Sequence, residues 1–137
     1  MRDYNAWNNE VIKEFRANGG WAGGPLKGMP LLILFNHGAR TGALRTNPLA
    51  YQKVEGGYAI FGSKGGSPTH PAWYHNLMAN PQVEIEVGTE TFTVRARLTE
   101  GEERERIWAQ QKLDFPQFAD YEKKTSRQIP VLVLEPV

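Results

Sequence analysis

The stretch Gly57-Tyr-Ala-Ile-Phe-Gly-Ser-Lys-Gly-Gly-Ser-Pro-Thr-His-Pro-Ala-Trp-Tyr-His-Asn-Leu77 joins three kinds of local structure. Residues 58–61 form an apolar run typical of a β-strand, residues 62–69 are a glycine-rich loop with a lysine, and a proline begins a helix over residues 71–79. A loop that leads into a helix N-terminus points backbone N–H groups, and here a lysine, at one place. The stretch therefore predicts a loop that binds an anion, such as a phosphorylated cofactor.

The segments around this stretch predict an antiparallel sheet. The predicted strands cover residues 31–35, 44–54, 58–61, 82–87, 90–98 and 129–134. The first of them, Leu31-Leu-Ile-Leu-Phe35, is a continuous apolar run and indicates a central strand buried on both faces. Pro48 is expected to interrupt the second strand and favours an edge or a bulge there, and Pro130 suits the start or an edge of the last strand. Short spacing between successive strands predicts hairpins.

Helical periodicity predicts helices outside the sheet. They cover residues 3–17, 71–79, a segment from a capping box at 99–102 to about 112, and a short piece near 115–122. The first is amphipathic: it could pack on the domain, cover a ligand or lie on a membrane, and packing is the favoured interpretation. Six short strands with such helices predict a mainly β fold, a small antiparallel barrel with peripheral helices, as one domain over residues 1–137.

Composition excludes several classes of function. With 16 basic and 15 acidic residues the net charge is +1, which gives no reason to expect a nucleic-acid partner. Cysteine is absent, so a disulfide framework or a thiolate nucleophile is excluded. The sequence shows neither a signal peptide nor a membrane span, and we expect a cytoplasmic protein, monomer or homodimer, with peripheral membrane contact left open.

Three cations are candidates for binding a phosphate. Arg40, Arg45 and Lys64 come from turns or strand ends, and hairpin pairing can bring their loops to one end of a barrel. The alternative is that they are three solvated surface cations. Neighbouring hydroxyl groups could also bind the ligand, although such residues usually bond nearby backbone; they are Thr41, Thr46, Ser63 and Ser67.

Two aromatic residues could stack on a planar ring of the ligand. Trp73 and Tyr74 lie at the start of the predicted helix, where neighbours point in different directions, so at least one belongs to the core. The three histidines lack the spacing of a zinc site, and residues 62–66 lack the register of a nucleotide-binding P-loop. We find no metal site, thiol or evident nucleophile, which suggests that a bound organic cofactor carries the difficult chemistry.

Four motifs, in order along the chain, carry a resemblance to a known family. They are Gly38-Ala-Arg-Thr-Gly-Ala-Leu-Arg-Thr-Asn-Pro-Leu49, Gly62-Ser-Lys-Gly-Gly66, His70-Pro-Ala-Trp-Tyr-His-Asn-Leu77 followed by Asn80-Pro81, and Tyr121-Glu-Lys-Lys-Thr-Ser-Arg-Gln-Ile-Pro-Val131. On these motifs the chain resembles the deazaflavin (F420)-dependent nitroreductases and F420H2-dependent quinone reductases of actinobacteria, small split β-barrel proteins related in fold to FMN-binding barrels.

The resemblance implies roles for particular residues. Arg40, Arg45 and Lys64 would hold the phosphate of coenzyme F420, and Ser63 would lie beside its deazaflavin ring. The other implied cofactor contacts are Thr41, Asn47, Pro48, Leu49, Tyr51, Gly65, Pro71, Ala72 and Trp73, with Trp73 as the ligand-facing aromatic. Tyr121 corresponds to an aromatic residue of the substrate pocket. Ser63 and Tyr121 are then the candidates for hydrogen bonding to the acceptor during the reaction.

The resemblance also implies an activity, namely hydride transfer from reduced F420 to a quinone or another activated unsaturated or nitro compound. Phe118 and Lys124 stand where some members carry tyrosines, so we expect hydrogen bonding to the acceptor to differ. Two alternatives stay open from the sequence. One is an FMN-dependent reductase of the same barrel class, and the other is a non-catalytic protein that binds or stores F420.

Overall fold

Six strands close into an antiparallel barrel in the computed structural model, which describes residues 4–17 and 29–137. The strands are β1 (Leu31–His37), β2 (Leu44–Val54), β3 (Gly57–Phe61), β4 (Gln82–Val87), β5 (Glu90–Leu98) and β6 (Val131–Pro136). The described helices are α1 (Tyr4–Ala17), α2 (Ala72–Ala79), α3 (Gly101–Asp114) and α4 (Gln117–Lys124). Around the barrel the order is β1-β2-β3-β6-β5-β4. The predicted mainly β barrel with peripheral helices is confirmed.

Strand β1 is buried on both faces, as its apolar run predicted. Leu32 and Leu34 pack into the barrel interior, whereas Leu31 and Ile33 pack against the helices outside. Because side chains alternate along a strand, two apolar faces require an uninterrupted apolar sequence. β1 therefore separates the two hydrophobic cores of the molecule.

The barrel interior is filled by side chains, and helix α2 closes one end of it. Trp73 and Leu77 of α2 belong to the interior core together with residues from five strands, namely Leu32, Leu34, Ile60, Val83, Ile85, Val94, Ala96, Leu132 and Leu134. The interior of a six-stranded barrel is narrow, and apolar side chains of this size occupy it. A ligand must therefore bind on the outside of the barrel.

Helix α1 packs on the outer core through its apolar face. Val11, Ile12 and Phe15 are buried together with Trp108 of α3 and Phe118 of α4. Burial of three such side chains stabilises the docked helix by roughly 5 kcal/mol as an upper value. The packing interpretation of this helix is supported, and these three side chains are not available to a lipid surface. Residue 3, where the predicted helix begins, lies outside the described residues.

No helix within residues 4–17 and 29–137 combines the length and the apolar character needed to span a bilayer.

Strand β2 runs without a break through Pro48, so the predicted interruption is wrong. Residues 44–50 of β2 pair with β1, and only residues 51–54 pair with β3. Pro48 lies opposite Ile33 in the part of β2 where the described sheet has a partner on one side only. A residue without an N–H group is tolerated there because no hydrogen bond is required of it, so the expectation of an edge is confirmed.

The predicted capping box at the start of α3 is wrong. The N-cap residue is Glu100, and no side chain caps this helix. The Thr99 hydroxyl instead donates to the Val131 carbonyl at 2.7 Å. A buried hydroxyl needs a partner, and the neighbouring strand β6 supplies one before the helix begins. Thr99 therefore joins the end of β5 to the start of β6.

Candidate cofactor site

The loop after β3 carries Lys64 in an unusual backbone conformation. Lys64 has a φ of 46°, the only positive φ among the described residues other than glycine. Gly65 follows with a φ of 63°, and the two belong to a 3₁₀ turn, Lys64–Gly66. The left-handed region costs a residue with a Cβ about 1–2 kcal/mol. Such a cost persists where the surroundings hold the conformation, and it is typical of functional sites.

Arg127 donates hydrogen bonds to three backbone carbonyl groups of this loop. Its Nε donates to the Ser67 carbonyl, Nη1 to the Gly62 carbonyl and Nη2 to the Ser63 carbonyl, each at 3.0 Å. Sequence reasoning missed this residue. Its only signal was its place in the motif at residues 121–131, because the spacing of the chain does not bring it to the loop.

Helix α4 packs against the other side of the loop. A Cβ at Gly66 would lie 2.7 Å from Lys124 Cβ and 2.9 Å from the Tyr121 carbonyl oxygen, so the two segments touch at a glycine. Helix α4 is joined to α3 by Trp108 Nε1, which donates to Glu122 Oε2 at 2.6 Å. Tyr121 therefore belongs to a helix with a defined position beside the loop.

A chain of asparagines joins the β1–β2 turn to helix α2. Asn36 is fully buried; its Nδ2 donates to Asn47 Oδ1 at 3.0 Å, and its Oδ1 accepts from Asn76 Nδ2 at 2.7 Å. Asn76 Oδ1 in turn accepts from the backbone N–H of Ala39 at 2.9 Å. The turn that carries Arg40 is thus anchored to α2. Asn36 and Asn76 were not predicted, although a buried polar residue at the end of an apolar strand is a signal for such a network.

Removal of Asn36 is expected to destabilise the protein. In Asn36→Ala the Asn76 amide and the Asn47 carbonyl oxygen lose their partners inside the protein, which costs about 3 kcal/mol. The melting temperature should then fall by roughly 10 °C. Calorimetry checks this value, with Asn80→Ala at the exposed end of α2 as the matched control. A fall of similar size in both variants would contradict the role of the network.

The three candidate cations are exposed and lie on segments that meet at α2. Arg40 lies in the anchored turn, and Arg45 of β2 lies opposite Asn36 of β1. The loop of Lys64 runs into Pro71, the N-cap residue of α2, and Lys64 Nζ lies 3.4 Å from Thr69 Oγ1. Within the described residues none of the three forms an ion pair. Their positive charges are therefore available to a ligand, and phosphate binding by them stays a prediction.

Trp73 was expected to face the ligand, but it does not project from the protein. Its side chain is 6% exposed and packs in the barrel interior, because α2 turns this face to the open end of the barrel. Its neighbour Tyr74 is partly exposed, and its ring centroid lies 4.6 Å from that of His70. Phe118 stands where some family members were expected to carry a tyrosine, and it is also a core residue.

The remaining predicted site residues divide into exposed and internal groups. The exposed group comprises Thr41, Gly65 and Ala72, with Thr41 Oγ1 accepting from the N–H of Ala43 at 3.2 Å. The internal or partly buried group comprises Asn47, Pro48, Leu49, Tyr51, Ser63, Pro71 and Tyr121. Leu49 and Tyr51 pack against the interior core, and Asn47 uses its side chain in the asparagine network.

The residues present fit a cofactor that has a phosphate and a planar ring. The site offers three cations that form no ion pair within the described part of the chain, and space is open around Gly65, where a Cβ would meet no atom within 4 Å. Ser63 is a buried residue, and its hydroxyl does not cap the turn. Charged donors, an open glycine and an uncommitted hydroxyl are the groups that bind a phosphate and a polar ring edge.

The architecture defines the class of protein, a split β-barrel of six antiparallel strands with peripheral helices. The chain is similar in fold to the heme storage protein HutZ from Vibrio cholerae, with 20% identity, a TM-score of 0.61, and coverage of 95% of this chain and 90% of that one. At this identity the likeness concerns the fold alone.

The chain belongs to the F420H(2)-dependent quinone reductase family, whose model matches residues 7–136. It is 40% identical to an F420H(2)-dependent quinone reductase of Mycobacterium tuberculosis (strain H37Rv), over 88% of this chain and 83% of that protein. A solved F420-H2 dependent reductase is 41% identical, with a TM-score of 0.70, over 77% of this chain and 94% of that one. A second solved structure, described as a domain-swapped dimer, is 36% identical, with a TM-score of 0.72, over 97% of this chain and 100% of that one. The resemblance seen in the sequence motifs is confirmed.

Proposed function

We propose that this protein transfers a hydride from reduced coenzyme F420 to a quinone, and that Arg40, Arg45 and Lys64 bind the phosphate of the cofactor. The observation that carries the proposal is the set of three exposed cations, on segments that meet at α2, in a chain of this family; none of them has a carboxylate partner among residues 4–17 and 29–137. Guanidinium groups can chelate phosphate oxygens in pairs, and the lysine adds a point charge.

Binding must place the cofactor against the outside of the barrel. The interior is filled by the core around α2, which supports a position of the ring outside the barrel, along the loop and the start of that helix. Pro71, the N-cap residue of α2, is buried at this point, and Ala72 after it is exposed. These residues orient the ring, and the cations hold the phosphate end.

A reduced 5-deazaflavin supplies a hydride from carbon rather than single electrons. The protein's own task is to stabilise the negative charge that develops on the acceptor oxygen. Ser63 has a hydroxyl that caps no backbone group, and it is free to donate. The Tyr121 hydroxyl accepts from Gln117 Nε2 at 3.2 Å, so its own hydrogen remains available to an acceptor. We assign hydrogen bonding to the acceptor to these two groups.

The test is oxidation of F420H2 by the purified protein, followed at the absorbance band of the cofactor with a quinone, an enone and a nitroaromatic compound as acceptors. We expect turnover with the quinone. Tight binding of F420H2 without turnover on any acceptor would instead indicate a storage protein. A yellow protein that releases FMN on denaturation and does not bind F420 would indicate the flavin-dependent alternative.

A further inference from the structure

We propose that Arg127 is a positioning residue which, together with His70, sets the shape of the cofactor loop at residues 62–67. This inference rests on the proposed function, because it assumes that the loop is where F420 binds. Arg127 itself lies behind the loop, where its guanidinium bonds the loop carbonyls. It therefore acts through the residues that it holds, Ser63 and Lys64.

The guanidinium of Arg127 uses three of its five N–H donors on the loop and a fourth on His70. Besides the carbonyls of Gly62, Ser63 and Ser67, Nη1 lies 3.0 Å from His70 Nδ1. An arginine cannot accept a hydrogen bond, so Nδ1 must be the acceptor and His70 must be neutral with its proton on Nε2. Four bonds from one planar group set the relative positions of both ends of the loop.

The charge of Arg127 is met by dipoles rather than by a carboxylate. Its hydrogen-bond partners among the described residues are three carbonyl groups and a neutral imidazole, and burial lowers the pKa of Arg127. A lysine could not reproduce this arrangement, because an ammonium group has three donors on one atom and lacks the planar fork. The geometry of the loop thus depends on the guanidinium itself.

His70 makes the loop sensitive to pH. The groups that face it are Arg127, His75 and Tyr74 of α2, and Glu100 and Arg104 of α3 across a cleft of about 510 Å³. Burial, then Arg127, then His75 hold the pKa of His70 below its ordinary value of 6.5. Protonation would turn an N–H of His70 towards an N–H of Arg127 and remove that hydrogen bond.

The direction of the pH effect follows from this lowered pKa. The unfolded chain binds the His70 proton more readily than the folded one, so stability rises with pH between the folded pKa and 6.5. The contribution is complete above pH 6.5 and is lost as the pH falls through the folded pKa. Affinity for F420 should decline over the same interval, because Arg127 loses the bond to His70 that supplements its three bonds to the loop.

The experiment compares Arg127→Ala and Arg127→Lys with Arg104→Lys, a matched replacement of a buried guanidinium that bonds the Ile129 carbonyl but not the loop. The first readout is hydrogen exchange of two loop amides in the protein without cofactor. The Gly66 amide donates to the Ser63 carbonyl, and the Ser67 amide donates to the Lys64 carbonyl. We expect these amides to exchange roughly tenfold faster in both Arg127 variants and at the wild-type rate in Arg104→Lys.

The second readout is the dissociation constant of F420, which should rise roughly 10-fold or more in Arg127→Ala and be partly restored by added guanidinium ion. His70→Gln keeps a neutral acceptor beside Arg127, so it should bind F420 like the wild type at pH 7.5 and should not share its loss of affinity in acid.

Unchanged exchange at Gly66 and Ser67 in the Arg127 variants would overturn the proposal, as would an equal change in Arg104→Lys. If the affinity for F420 falls equally at acidic pH in the wild type and in His70→Gln, the proposed role of His70 is wrong. Failure of the wild type to bind F420 would refute the proposed function instead, while the exchange result would still report whether Arg127 sets the loop.

Discussion

Replacing Arg45 and Lys64 together by alanine is expected to weaken F420 binding roughly 100-fold. Charge-assisted hydrogen bonds contribute about 1.5–3 kcal/mol each, and both side chains are exposed, which places them at the lower end of that range. A total near 3 kcal/mol corresponds to this change in the dissociation constant. The free energy of unfolding should change by less than about 0.5 kcal/mol, because neither side chain has an ion-pair partner among the described residues.

The measurement is a fluorescence titration of F420 against the double variant, with urea unfolding of the same samples. Lys13→Ala combined with Arg95→Ala is the control, since it removes the same charges from exposed positions on α1 and β5. A general electrostatic effect would weaken binding equally in both proteins. Wild-type affinity in the Arg45 and Lys64 variant would refute the phosphate assignment.

Replacing Gly66 by alanine is expected to disrupt the contact between the cofactor loop and helix α4. The added Cβ would meet the backbone oxygen of Tyr121 and the side chain of Lys124 at less than 3 Å, and the residue has a φ of 86°. Left-handed strain costs about 1–2 kcal/mol, and overpacking adds a further 1–3 kcal/mol. We therefore expect a loss of about 3 kcal/mol of stability together with weaker F420 binding and slower turnover.

Gly65→Ala is the matched control for this variant. Gly65 also has a positive φ, of 63°, but a Cβ there would meet no atom within 4 Å. Only the conformational strain applies, so its loss of stability should be about 1 kcal/mol. Urea denaturation of the two variants separates the steric effect from the backbone effect. Equal losses of stability in the two variants would show that the loop is not closely packed against α4 at Gly66.

The barrel was predictable from the sequence because local patterns determine most of it. The apolar run at residues 31–35 indicated burial on two faces, and the short spacing between the strands predicted at residues 82–87 and 90–98 indicated a hairpin; both are observed. Strand pairing followed from short connections. These features depend on neighbours along the chain, and periodicity reports them directly.

The supports of the candidate site could not be predicted because they join distant segments. Arg127 reaches back more than 60 residues to Gly62 and Ser63, and Asn76 meets Asn36 across 40 residues. The orientation of Trp73 depends on where α2 meets the barrel, which the sequence of the helix does not state. Thr99 was misjudged for the same reason, since its partner lies on another strand.

The filled interior of the barrel has a consequence for how the coenzyme is used. Leu32, Leu34 and Trp73 occupy the space inside, so at the proposed site F420 lies on an outer surface, and no part of the barrel has to open for it to leave. We therefore expect F420 to behave as a co-substrate rather than a prosthetic group, departing oxidised after each turnover and returning reduced from another enzyme. Its dissociation constant should then be matched to the concentration of the circulating pool.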